Sequence, residues 1–150
     1  QSHGIRVAFF LQFGYPGEQQ EDIRKTIKMV EECMPDEIGI SVSYPLPGTP
    51  FYERVKHELS QKPNWKDSAD LALMFVNEYQ PAYYKKLHRY VHKVHRKRQG
   101  WVYMREALRH PSRLNANRLK RIASALYYTP AAWIEARQLK KLALADGSPL

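Results

Sequence analysis

The sequence contains a single cysteine, Cys33, in 150 residues. One cysteine cannot form an internal disulfide, and it cannot hold an iron–sulfur cluster or another site that needs several cysteine ligands. Because free cysteine is most often a small packed side chain, and Cys33 ends a helical pattern, we interpret it as a partly buried helix residue.

Long hydrophobic runs are also missing. No segment approaches the roughly 20 apolar residues that span a bilayer, and no charged segment followed by an apolar one marks a signal peptide. We therefore expect a cytoplasmic protein without a transmembrane segment. The 43% hydrophobic content is typical of a globular protein, and 150 residues are enough for a domain with a core.

Acidic residues are scarce in one part of the chain. Residues 82–121 contain 13 Lys and Arg but one acidic residue, whereas residues 1–81 contain 8 Lys and Arg and 12 acidic residues. This change of charge and the polar segment 60–68 predict a boundary, with residues 1–60 and 61–150 as two units. A basic run with interleaved tyrosines is typical of a solvated helix face; contact with nucleic acid or anionic lipid is the alternative.

Two apolar runs end in turns built from proline and glycine. Residues 7–13 predict a strand that breaks at Gly14 and continues into Tyr15-Pro16-Gly17-Glu18. Pro at the second position and Gly at the third suit a type II turn. Residues 38–44 predict a second strand, which leads into Pro45-Leu46-Pro47-Gly48-Thr49.

An amphipathic helix is predicted between the two strands. Ile23, Ile27 and Val30 recur at helical spacing, which predicts a helix over residues 19–33. A strand, a helix and a strand in this short span indicate a right-handed βαβ unit with parallel strands. The carboxyl ends of such strands open on the side that binds ligands in α/β proteins.

The rest of the sequence predicts helices and no further strand. Since two strands alone do not make a stable parallel sheet, we expect them to pack on strands absent from this sequence. The chain enters a strand almost at once without a start Met, so we expect a truncated, split or excised gene. Helices are predicted for residues 50–59, 68–80, 102–108, 119–127 and 130–144. A further helix begins at Pro81 and ends or bends at Gly100, and Pro111 and Pro130 are predicted to break the helices.

The two segments with proline and glycine turns carry a family resemblance. Phe-Leu-Gln-Phe-Gly-Tyr-Pro-Gly-Glu in residues 10–18 and Ser-Tyr-Pro-Leu-Pro-Gly-Thr-Pro in residues 43–50 resemble the late part of the catalytic barrel of radical SAM enzymes. The resemblance is strongest to the cobalamin-binding subclass, which includes the anaerobic magnesium-protoporphyrin monomethyl ester cyclases. It covers residues 4–98 and implies an α/β fold: the last βαβ unit of a partial TIM-like radical SAM barrel, followed by an all-helical C-terminal region.

The resemblance also implies a binding site. In that family the ends of the fifth and sixth barrel strands border the adenosine part of S-adenosylmethionine. Gly14 and Glu18 match the family's Gly-x-Ile-x-Gly-x-x-Glu-like motif with one residue inserted, whereas Phe10 and Gln12 replace its first Gly and its Ile. A turn opened by glycine also lets the backbone approach a flat ring. The implied cofactor-binding residues are Phe10, Gln12, Gly14, Glu18, Tyr44, Pro45 and Leu46.

Three cofactors follow from the resemblance: S-adenosylmethionine, a [4Fe–4S] cluster and cobalamin. The three closely spaced cysteines of the cluster and the Asp-x-His-x-x-Gly motif of cobalamin are absent from this sequence. We therefore expect the missing N-terminal part of the barrel, in the same or a separate chain, to supply those ligands. The chain is interpreted as the C-terminal part of a radical SAM enzyme with a small-molecule substrate, without catalytic or metal-binding residues and inactive alone.

An alternative without catalysis stays open. The chain is then a basic helical module that binds nucleic acid or an acidic partner, although we do not expect nucleic acid as a partner of the enzyme. His88, His92 and His95 lie at helical spacing, and two of them could share a metal. Because neighbouring Lys and Arg would repel a cation, we interpret these histidines as part of a solvated face.

Overall fold

The computed structural model describes residues 3–59, 75 and 77–145. In this part of the chain the only strands are the two predicted ones. The elements in chain order are β1 (Ala8–Phe13), α1 (Gln20–Cys33), β2 (Glu37–Val42), α2 (Pro50–Val55), α3 (Pro81–Arg109), a short 3-10 turn (Pro111–Arg113) and α4 (Ala116–Ala145).

The two strands form a parallel sheet, which confirms the predicted βαβ order. The register runs from Ala8 opposite Glu37 to Phe13 opposite Val42. Since successive side chains of a strand point to opposite faces, Leu11, Phe13 and Val42 lie on one face and are buried. The other face is open, so the sheet is covered on one side within the described part of the chain. Whether it belongs to a TIM-like barrel stays a prediction.

Helix α1 has nearly the predicted bounds. Ile23 and Val30 are buried on its inner side. At its start, the Asp22 carboxylate accepts a hydrogen bond from the Gln19 N–H at 3.1 Å, which satisfies one of the backbone donors left free at a helix start. At its end, Met34 adopts the left-handed conformation with φ +48°, a common way for a helix to end.

One hydrophobic cluster joins the sheet, α1 and the long helices. The predicted boundary near residue 60 falls among residues that the structure does not describe, so the division into two units stays a prediction. Residues from before and after this boundary pack in the same cluster. The cluster consists of Leu11, Phe13, Ile23, Val30, Val42, Tyr79, Tyr83, Tyr84, Leu87, Val91 and Ala143.

Helices α3 and α4 form an antiparallel hairpin. Glu135 of α4 makes ion pairs with Lys86 at 3.0 Å and Lys93 at 2.5 Å, and Glu106 lies 3.7 Å from Arg118 at the other end of the hairpin.

Among the described residues, no helix combines the length and the apolar character that crossing a membrane requires.

The predicted break at Gly100 is wrong. Helix α3 continues through Gly100 to Arg109, because this glycine lies where α4 crosses. A β-carbon at Gly100 would come within 2.5 Å of the Ala125 β-carbon and 2.7 Å of the Arg121 carbonyl oxygen. The glycine therefore allows the two helices to approach each other.

The predicted break at Pro130 is also wrong, since α4 contains this proline in its interior. A proline there removes one helical hydrogen bond. Contacts with α3 before and after it hold the helix together: Ala125 packs at Gly100 and Glu135 pairs with Lys93. The break at Pro111 is confirmed, because α3 ends at Arg109.

Two further helix predictions need correction or fall outside the described residues. Helix α2 is shorter than the predicted 50–59; Thr49 caps its start by accepting a hydrogen bond from the Tyr52 N–H at 3.1 Å. Most of the helix predicted for 68–80 lies outside the described residues. Its described end is not helical, and Gln80 instead precedes α3 as the N-cap.

A Gly100→Ala variant tests the helix crossing. Alanine favours a helix over glycine by about 1 kcal/mol, but the clash with α4 backbone should dominate and lower the free energy of unfolding by about 1–3 kcal/mol. Urea denaturation measures this. The control Lys120→Ala, at an exposed lysine of α4, should change it by less than about 0.5 kcal/mol. A stabilised Gly100→Ala protein would contradict the close crossing.

Candidate functional site at the strand ends

The two predicted binding loops leave the same edge of the sheet. Phe13 and Val42 are the last paired residues of the strands, and the Ser43 N–H donates a further hydrogen bond to the Phe13 carbonyl at 2.7 Å. Residues 14–18 and 44–49 therefore start side by side. The structure thus brings together the two segments that the sequence singled out.

The first loop contains the predicted type II turn. The Glu18 N–H donates to the Tyr15 carbonyl at 2.9 Å, and Gly17 has the required positive φ, +85°. The Glu18 carboxylate folds back and accepts a hydrogen bond from the Gly14 N–H at 2.7 Å. Burial raises the pKa of Glu18, and the hydrogen bond from Gly14 only partly opposes this. Glu18 thus closes the loop on itself.

Gly14 is enclosed by residues of this same chain. It has φ +76°, and a β-carbon there would lie 3.1 Å from Asn77 Nδ2 and 3.2 Å from the Tyr84 ring. The Asn77 side chain also donates to the Gly14 carbonyl at 2.7 Å. The position therefore requires glycine for conformation and for packing. Because its N–H is bonded to Glu18, that group is not free for a ligand.

Sequence reasoning missed Asn77 and placed Tyr84 only on a helix face. Both border the strand ends, and both keep a buried polar atom without a hydrogen-bond partner among the described residues: the Asn77 Oδ1 and the Tyr84 hydroxyl. Burial raises the pKa of Tyr84 far above its usual value, so the hydroxyl keeps its proton. No local signal could identify these residues, since Asn77 is 63 residues from Gly14.

Phe10 and Gln12 lie on the open face of the sheet. The Phe10 side chain is 90% exposed, and it covers Gly39 on β2, where a β-carbon would lie 3.1 Å from the ring. Gln12 is exposed next to it and pairs in register with Ser41. The open face therefore offers one aromatic ring and a polar side chain near the loops.

The second loop carries the other predicted residues. Pro45 is buried, whereas Tyr44 and Leu46 are exposed. The Leu46 carbonyl accepts hydrogen bonds from the N–H and the hydroxyl of Thr49, at 3.1 and 2.7 Å. Since Thr49 also caps α2, the start of this helix fixes the loop.

An aromatic contact links the two loops. The Tyr15 ring of the first turn lies 4.9 Å from the Phe51 ring of α2, measured between centroids. Phe51 in turn meets the edge of Phe75 at 5.3 Å. Such pairs stabilise by about 0.5–1.5 kcal/mol each beyond the area they bury, so the loops are held as one surface.

The residues at this edge fit part of the expected cofactor set. An exposed ring at Phe10 and an exposed Leu46 suit the apolar face of a flat ligand such as adenine, whereas the Asn77 Oδ1 and the Tyr84 hydroxyl are buried and lie out of a ligand's reach. They do not fit a metal cluster: within the described part of the chain, no three His, Cys, Asp or Glu side chains are placed to hold a metal. Cys33 is exposed, contrary to the prediction that it packs.

The interpretation of the three α3 histidines as a solvated face is wrong. His95 is buried, and its Nε2 lies 2.8 Å from the Pro35 carbonyl at the start of β2. The His88 and His92 rings are half-buried, with centroids 4.6 Å apart. Burial, together with neighbouring positive groups, lowers the pKa of His88 and brings that of His92 to about 4. Through His95, α3 contacts the segment just before β2.

Gly14→Ala and Gly17→Ala separate backbone strain from packing. Both glycines have positive φ, so each alanine should cost about 1 kcal/mol of unfolding free energy. Only Gly14→Ala also meets Asn77 and Tyr84, since nothing lies within 4 Å of a β-carbon at Gly17. We expect Gly14→Ala to cost at least about 1 kcal/mol more in urea denaturation. Equal costs would contradict the packing of Tyr84 on Gly14.

The lowered pKa of His92 predicts acid sensitivity. In the unfolded chain His92 takes up a proton near its ordinary pKa of 6.5, but in the folded protein only near 4. As the pH falls through this window the unfolded state binds more protons, so stability decreases. The fall of the urea midpoint between about pH 7 and pH 4 should be smaller in His92→Gln. His110→Gln, at an exposed histidine, should behave like the unmodified protein, and an unchanged fall in His92→Gln would refute the prediction.

Part of the chain is similar to a tRNA methylthiotransferase. A segment of 47 residues, 31% of this chain, is 45% identical to the threonylcarbamoyladenosine tRNA methylthiotransferase of Xenopus laevis and 43% identical to those of Mus musculus and Homo sapiens. The match spans 8% of the length of each relative. No protein-family model matches the chain. Methylthiotransferases of this kind are radical SAM enzymes, so the similarity supports the radical SAM superfamily and gives no support to the cobalamin-binding subclass.

Proposed function

We propose that this chain supplies the late strands of a radical SAM catalytic barrel and a helical region that follows them. The observation that carries the proposal is the parallel pairing of β1 and β2, which puts both candidate loops at one edge of the sheet. The similarity to methylthiotransferases supports the same superfamily. The chain is then part of an enzyme and not an enzyme by itself.

The open face of the sheet supports a barrel. A parallel sheet is normally buried on both faces, yet Phe10 and Gln12 face outward here. In a barrel, this face would line the interior, and the other strands would cover the two free edges. The proposed partner is therefore the remaining part of the barrel, in the same chain or a separate one.

The proposed ligand at the strand ends is S-adenosylmethionine. Phe10 and Leu46 would provide apolar contact, Gln12 and the backbone of residues 44–46 would provide polar contact, and Gly14 with Glu18 would hold the loop in shape. The [4Fe–4S] cluster, which supplies the electron that cleaves S-adenosylmethionine, would be held by cysteines outside this chain. Cobalamin rests on the sequence resemblance alone, and no residue of this chain is assigned to it.

A small-molecule substrate remains the proposal. The relatives act on tRNA, but the matched segment is 8% of their length, too small a share to bring their substrate with it. Part of the basic charge that favoured nucleic acid is used internally: Lys86 and Lys93 pair with Glu135, and Arg121 donates to the Gln99 side chain at 3.1 Å. These contacts weaken the alternative of a nucleic-acid module.

Anaerobic reconstitution tests the proposal. The chain alone has one cysteine, so we expect no iron–sulfur absorbance from it. The DNA upstream of Gln1 should encode an in-frame Cys-x-x-x-Cys-x-x-Cys segment, and the longer protein should bind about four irons. A start codon close to Gln1 with no such segment in a neighbouring gene would contradict the enzyme.

Titration calorimetry with S-adenosylmethionine then tests the site in the longer protein. Phe10→Ala should weaken binding about tenfold, because the exposed ring loses its contact with the ligand. Tyr127→Ala, at an exposed tyrosine of α4, is the matched control and should bind normally. Unchanged affinity in Phe10→Ala would leave the strand ends without a role in binding.

A further inference from the structure

Helix α4 exposes large apolar side chains on the side that faces away from α3. At 3.6 residues per turn they lie within about a third of the helix circumference. Leu126 is 72% exposed, Tyr127 65% and Trp133 56%. We call the set the α4 apolar face; it consists of Leu119, Leu126, Tyr127, Trp133, Ile134 and Leu144.

Helix α1 of the same protein shows what an ordinary solvated face looks like. Its exposed side carries three ion pairs between residues three or four positions apart: Glu21 with Arg24, Asp22 with Lys25, and Glu32 with Lys28. The α4 apolar face has no such pattern. Exposed apolar side chains gathered on one side of a helix mark an interaction surface more often than plain solvent contact.

The exposed charged side chains of α4 are all positive. The one acidic residue of α4, Glu135, is buried against α3 and neutralised by lysines. Lys120, Arg137, Lys140 and Lys141 are exposed on α4. The Arg137 guanidinium lies 3.8 Å from the centre of the Trp133 ring, so an aromatic ring and a positive charge share one spot on the surface.

We propose that the α4 apolar face docks this protein on an anionic lipid surface. Leu126, Trp133 and Ile134 would enter the headgroup boundary, while Arg137 and Lys141 contact lipid phosphates. Trp and Leu side chains with Lys and Arg beside them are the residue types with which helices contact an anionic membrane interface. Each basic residue near an anionic surface adds to the attraction. The proposal is independent of the radical SAM site.

Other partners fit the same face less well. RNA would match the basic residues but would leave exposed Leu and Ile side chains against phosphates. A second copy of the chain would bring the basic residues of two α4 helices together, and like charges repel. Anionic lipid satisfies the apolar and the positive groups at once.

Vesicle binding by the full chain tests the proposal. Vesicles of phosphatidylcholine with about 30% phosphatidylglycerol should sediment the protein, whereas pure phosphatidylcholine should bind it weakly, and added salt should reduce the binding. The double variant Leu126→Glu with Ile134→Glu should bind at least about tenfold more weakly. The control Leu108→Glu alters a leucine that is 79% exposed at the end of α3, outside the α4 apolar face, and should bind normally.

Fluorescence gives a second measurement at the site itself. Vesicles should shift the tryptophan emission to shorter wavelength, and Trp133→Phe should remove most of that shift although two other Trp remain. Circular dichroism checks that each variant is folded. Equal vesicle binding by the double variant and by Leu108→Glu would overturn the proposal. The proposal would also be overturned if the protein bound RNA or formed a dimer instead of binding vesicles, and if the double variant abolished that RNA binding or dimer formation.

Discussion

The packing of α3 against the two-stranded sheet is the interaction on which the rest of the structure depends. A parallel pair of strands with one crossover helix cannot bury enough apolar surface alone. Tyr83, Tyr84, Leu87 and Val91 of α3 are almost fully buried in the cluster that holds the sheet. Each such side chain contributes about 1.5–3 kcal/mol on burial. The helical region is therefore needed for the sheet to form, whatever strands complete it.

Helix α3 and the residues just before it contact the sheet at both ends of its strands. At the carboxyl ends of the strands, the Tyr84 ring packs against Gly14, and the Asn77 side chain donates to the Gly14 carbonyl. At the amino edge, Gln99 donates to the Asp36 carbonyl at 3.1 Å, next to the contact of His95 with Pro35. Polar bonds at both ends of a buried apolar contact fix the position of α3 along the strands. The candidate binding loops thus owe their shape to residues far along the chain.

The α3–α4 hairpin divides the positive charge of the chain into two parts. Lys86 and Lys93 are tied to Glu135 between the helices, where the lysines hold the pKa of this carboxyl below its usual value in spite of burial. The ion pairs and the close crossing at Gly100 turn one side of α4 inward. Its opposite side carries exposed apolar and positive side chains of α4, whose one acidic residue is Glu135. The surface chemistry of α4 is therefore a consequence of how the hairpin packs.

Local sequence determined the strands, α1, the type II turn and the start of α2, because these depend on nearest neighbours and on the period of the apolar residues. It also placed the two loops at strand ends, and a parallel sheet then put them at one edge, but Phe10, predicted at a strand end, lies in the middle of β1 opposite Gly39. Tertiary structure alone decided that Gly100 and Pro130 lie inside helices, because the opposing helix compensates for the local cost of each. It decided, too, that His95 is buried and that Asn77 and Tyr84 enclose Gly14. Contacts between residues far apart in the chain leave no pattern in a single sequence, since only packing brings them together.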